Sequence, residues 1–95
     1  MFVHWGNFTK QSSVNHALGF ADGALRHFGF NEIDRSGHQV MGQDSKNTIV
    51  IVSWGPDPQG TAYTVTGVAD VSTDAELARN NVRSDIVSVV LFDNG

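Results

Sequence analysis

Apolar residues recur through positions 12–28 at a spacing that a helix gathers on one side. Val14, Ala17, Leu18, Ala21, Ala24, Leu25 and Phe28 follow at steps of 3, 1, 3, 3, 1 and 3. At about 3.6 residues per turn, these steps keep all seven on one face. Ser12 or Ser13 can cap the start by accepting a backbone N–H. Gly29 suits the left-handed position after the last turn, and Phe30 can then fold back on Leu25.

Elsewhere the pattern is that of strands. Phe2 to Trp5 reads as a short first strand ended by Gly6-Asn7. Phe30 to Gly42 is extended but irregular, with a strand from His38 to Gln43 and a bend at Gly37. Asp44-Ser45-Lys46-Asn47 is a turn, and Thr48 to Trp54 is rich in β-branched residues. A loop from Gly55 to Gly60 leads to a strand from Thr61 to Ala69, in which apolar and polar positions alternate.

The last segment carries two signals. Thr73 and Glu76 form a capping-box pattern, and Ala75, Ala78, Val82, Ile86 and Val89 recur at steps of 3, 4, 4 and 3. Residues Ile86 to Phe92 also have strong strand propensity. Packing of an amphipathic face outweighs propensity, so the spacing predicts a helix to about Leu91. The alternative is a helix ending near Asn80-Asn81 and an extra C-terminal strand, a ferredoxin-like arrangement. The expected fold is one α+β domain over residues 1–95. It is a two-layer β-α-β-β-β-α sandwich whose mainly antiparallel sheet has two helices on one face.

Connectivity then suggests directions. Three strands between the helices put both helix starts at one end, with the Lys10 loop, the Asp44 turn and Asp70. They put Trp5 and Trp54 at opposite ends. In a two-layer domain one sheet face meets solvent, yet Ile49 and Ile51 on one side and Val50, Val52 and Trp54 on the other are all apolar. A partner chain, a ligand or the segment around Asn31 to Gly37 must cover the outer side. An apolar patch of this kind points to a homo-oligomer, most simply a two-fold dimer, with Ile49 and Ile51 in the interface.

Composition narrows the function classes. Ninety-five residues without cysteine exclude disulfides and thiolate chemistry. A net charge of −4, with Lys10, Arg26, Arg35, Lys46, Arg79 and Arg83 scattered, is not a nucleic-acid footprint. The longest apolar run, Ile49 to Val52, is far short of the about 20 residues of a membrane span. Met1-Phe2-Val3-His4 has neither a charged n-region nor a long apolar segment, so the expectation is a soluble cytoplasmic protein.

Candidate chemistry is sparse. The loop from Gly6 to Ser13 joins a strand to a helix start, where backbone N–H groups favour anions. Lys10, Ser12 and Ser13, with Trp5 nearby in sequence, are the candidate ligand-binding residues. The glycine that precedes lysine in a phosphate-binding loop is missing, and a capped helix is the plainer reading. Asp44, Asp70 and Asp74 come from separate segments without calcium-loop spacing, so no metal or cofactor is expected.

His16 and His27 stand eleven positions apart on one helix stripe. That is about 16 Å, too far to share a metal. With Phe20 and Gly23 between them, His16, Phe20 and His27 are candidates for an interface edge. His4 is the candidate general acid or base. No serine elbow or two-histidine zinc motif is present. The expected function is a small non-enzymatic module, homodimeric, binding a small ligand or protein partner. The alternative is a small general acid/base enzyme with an aromatic pocket near His4 and Trp5.

Overall fold

A computed structural model describes residues 1–88. Among them are the strands β1 (Phe2–Lys10), β2 (Asn31–Ser36), β3 (Gln39–Gln43), β4 (Ile49–Asp57) and β5 (Gly60–Ala69), with the helices α1 (Ala17–His27) and α2 (Ser72–Ser88). The chain order is β1-α1-β2-β3-β4-β5-α2. The sheet order is β1-β5-β4-β3-β2, and every neighbouring pair is antiparallel. The expected α+β class, with an antiparallel sheet and two helices on one face, is what the chain adopts.

Period-two alternation builds the core. Thr61, Tyr63, Val65, Gly67 and Ala69 of β5 are buried, as are Val50, Val52 and Trp54 of β4 and Val40 of β3. They meet Ala17, Phe20, Ala21, Ala24 and Leu25 from α1, and Ala75, Ala78, Val82 and Ile86 from α2. The first turn before α1 is a 3-10 turn, Val14–His16, with the Ser13 side chain accepting from the Asn15 N–H. At the other end Gly29 has φ +81°, and the Phe30 N–H donates to the Leu25 carbonyl at 2.8 Å. The Gly29 N–H also donates to the Arg26 carbonyl, which completes the glycine stop read from the sequence.

Residues 82–88 are helical, with Val82 and Ile86 on the buried side. The strand alternative therefore fails through Ser88, and residues 89–92 lie outside the described residues. The helix begins at Ser72, so Thr73 lies inside it rather than capping it.

Two expectations are corrected by a strand that hydrophobic pattern does not announce. Residues 31–36 form β2, an edge strand exposed along its whole length and paired with β3 through an irregularity between Glu32 and Asp34. Four strands rather than three now separate the helices, so α1 and α2 run in opposite directions. The start of α1 lies at the Lys10 end, and the start of α2 lies at the other end with Asp44 and Asp74.

The tryptophans are also rearranged. β1 and β4 are both antiparallel to β5 and point the same way. β1 continues through Gly6-Asn7 because β5 pairs with it as far as Lys10, so Trp5 is mid-strand. Trp5 is level with Thr66 and Ile51, while Trp54 is level with Tyr63 and Phe8. Trp5 is 61% exposed on one face of the sheet, and Trp54 is in the core on the other.

Candidate interaction surface

The strand register defines the sheet face that neither described helix covers. One row across it is Val3, Val68, Ile49 and Gln43, and the next is Trp5, Thr66, Ile51 and Met41. These rows form a mainly apolar patch on the half of the sheet where β1 and β4 begin and β5 finishes. Two further rows, Asn7, Thr64, Ser53 and Gln39, then Thr9, Ala62 and Gly55, are polar or small. Among the described residues of these rows the one charge is at the rim, where Asp34 pairs with Met41. The segment from Asn31 to Gly37 does not lie over this face, because it supplies the edge strand β2 and the turn after it.

The polar half of the face is hollow. A depression of about 530 Å³ lies between β1, β5 and β4. Asn7, Thr9, Ser53, Gly55, Ala62 and Thr64 line it from this face, and the intervening Phe8, Trp54 and Tyr63 complete its lining. The Thr64 hydroxyl donates to Asn7 Oδ1 at 2.7 Å.

The remaining sequence candidates fall elsewhere and do not converge. His4 is on the helix side of β1, with Nε2 2.9 Å from Ser72 Oγ at the start of α2. Trp5, its neighbour, faces the opposite side, so the two cannot line one pocket. Lys10 Nζ donates to the Val87 carbonyl at 3.2 Å and lies 5.3 Å from the centre of the Phe20 ring. Ser13 is used as the cap, and the Ser12 carbonyl accepts from the Thr61 hydroxyl at 2.7 Å.

Phe20 is a core residue, 6% exposed, rather than a surface aromatic. Its expected placement as a surface residue fails because its ring turns inward under Lys10. His16 and His27 are exposed on α1 and its approach. His27 Nδ1 pairs with Asp85 of α2 at 3.1 Å. This helical stripe and the pair Ile49 and Ile51 lie on opposite sides of the molecule.

Tyr63 and Ser12 share a buried polar spot on the helix side. The Tyr63 ring stacks on Phe8 with centroids 5.0 Å apart, and its hydroxyl has no hydrogen-bond partner among the described residues. Burial raises its ionisation above the ordinary phenol value of 10.0. The Ser12 hydroxyl acts in the other direction, but the two oxygens do not meet in an ordinary hydrogen bond, and burial prevails.

A smaller cleft of about 130 Å³ at the far end has Asp44, Lys46 and Asp74 in its wall. Asp44 Oδ1 is already occupied by the backbone N–H groups of Lys46 and Thr48. No group of three metal-ligating side chains occurs among the described residues. No helix among them is long and apolar enough to cross a membrane.

Sequence reasoning found Ile49 and Ile51 but missed Val3, Met41, Val68, Asn7, Ser53 and Thr64 as their companions. The alternation of Thr64 and Thr66 signals an outward face; the register that sets Asn7 beside Thr64 comes only from pairing β1 with β5. No protein-family model matches the chain, and no curated protein shows significant similarity to it.

Proposed function

We propose that the open sheet face carries the function of a non-enzymatic module, and that a second copy of the chain docks on it in a two-fold dimer. The dimer would bind a small ligand or a protein partner. The observation that carries this reading is the apolar patch of Val3, Trp5, Met41, Ile49, Ile51 and Val68 around Thr66, on a face that neither described helix covers. Four strands about 4.8 Å apart and rows about 6.8 Å apart give the two apolar rows an area on the order of 250 Å², and the whole open face, polar rows included, on the order of 500 Å² before side-chain relief is counted. That approaches the roughly 800 Å² per partner of a standard interface.

A two-fold contact brings each patch against itself, so any charge near its centre would meet its own copy. The face avoids that penalty although the chain carries a net charge of −4. Acid/base chemistry at His4 and Trp5 has less support, since adjacent strand positions face opposite sides. Sedimentation equilibrium over a wide concentration range tests the reading. A reversible monomer–dimer equilibrium is expected, and a monomer at every concentration reached would overturn it.

A further inference from the structure

We infer that the depression beside the apolar patch binds a neutral, hydroxyl-rich small molecule of saccharide type, with Trp5 against its apolar side. This rests on the reading of the open face as the functional surface, but not on the dimer. The depression occupies the two polar rows, and Trp5 stands at its border with the apolar rows.

Its side-chain chemistry is neutral throughout. Asn7, Thr9, Ser53 and Thr64 offer hydroxyl and amide groups, and none of its described lining residues is charged. A phosphate or carboxylate placed there would lose water without gaining a counter-charge. A neutral polyol exchanges hydrogen bonds with water for hydrogen bonds with these groups at little cost. The Thr64 hydroxyl holds Asn7 by its carbonyl oxygen, which leaves the amide nitrogen as an oriented double donor.

Shape supports the same class. The volume of about 530 Å³ is within the range of roughly 300–1,000 Å³ usual for small-molecule sites. A Cβ at Gly55 would meet nothing within 4 Å, so glycine there keeps the floor open without being required by packing. Sugars combine rims of hydroxyl groups with C–H faces. A half-exposed indole next to neutral hydrogen-bonding groups matches both parts, as aromatic side chains join an apolar body to a polar edge.

The test is a ¹H–¹⁵N NMR titration of the full chain with maltose and cellobiose, and with glucose 6-phosphate and glucuronate as charged counterparts. Saturable shifts are expected at the Asn7 side-chain amide, the Gly55 and Thr64 amides and the Trp5 indole. Asn7→Ala should weaken binding roughly tenfold, and Gly55→Val, which fills the floor, at least as much. The charged compounds should bind more weakly than the neutral ones. Absence of saturable shifts with either neutral sugar, or unchanged binding in folded Gly55→Val, would overturn the inference. Sedimentation of the same samples separates the two readings. A dimer without sugar shifts removes only the ligand, and a monomer with them removes only the dimer.

Discussion

The backbone of α2 rests directly on Gly67 of β5: a Cβ at Gly67 would lie 2.2 Å from the Ala75 carbonyl oxygen. No side chain moves to relieve such a contact, so Gly67→Ala must push the helix off the sheet. We expect a loss of about 3 kcal/mol, at the upper end of overpacking costs. Gly55→Ala, with open space around the new methyl, should be neutral or slightly stabilising. Urea unfolding of the two variants side by side checks the contrast, and equal losses would contradict it.

Tyr63 is the single tyrosine, so phenolate absorbance reports it alone. Its ionisation is raised in the fold above the ordinary 10.0, which means that folding favours the protonated phenol. Its contribution is therefore complete below pH 10 and is lost as pH rises through the folded value. The wild-type protein should lose stability above pH 10 relative to Tyr63→Phe. At neutral pH Tyr63→Phe should change stability little, because the hydroxyl it removes has no partner among the described residues. Alkaline titration followed by absorbance and circular dichroism measures both.

Charge placed on the open face should separate association from folding. Trp5→Asp and Ile51→Asp, which place a carboxylate on the patch, are expected to weaken dimerisation more than about tenfold while the monomer stays folded. Phe20→Asp should instead unfold the chain, since Phe20 is in the core. Sedimentation and far-ultraviolet circular dichroism distinguish these outcomes.

His4 ties the beginning of β1 to the beginning of α2 through Ser72. Removing the partner hydroxyl in Ser72→Ala should cost about 1 kcal/mol, the usual net value of such a bond. Thermal unfolding shows this as a lowered midpoint, and an unchanged midpoint would leave the contact without structural weight.

The helices and inner strands were legible because burial imposed a period on them. Val14 to Leu25 repeats with the turn of a helix, and Gly29-Phe30 announces its end. Thr61 to Ala69 alternates because only one side of β5 is covered. Residues 31–36 were not legible as a strand: Asn31, Glu32, Asp34, Arg35 and Ser36 are polar, and an exposed edge strand with a bulge has no buried side to enforce alternation. Missing β2 reversed the inferred direction of α2. Phe20 was misplaced for a different reason. Its position lies beside the apolar stripe, and only the packing of the folded chain, with Lys10 over the ring, places it in the core. The candidate surface was half legible: the two-sided character of Ile49 to Trp54 is a property of one strand, whereas the depression needs three strands in register.

The opposed directions of α1 and α2 also shape the electric field. Each helix has roughly half an elementary charge of partial positive at its start and the same negative at its finish. The Lys10 end holds the start of α1 and, through the contact with Val87, the finish of α2. At the other end Phe28 and Asp74 share one cleft, so the finish of α1 adjoins the start of α2. The two fields offset one another, and the alternating strands of the sheet add little. The two described helices thus set up no net positive pole that would gather anions, and a ligand of the proposed kind would be sorted by its shape and hydrogen bonds rather than by its charge.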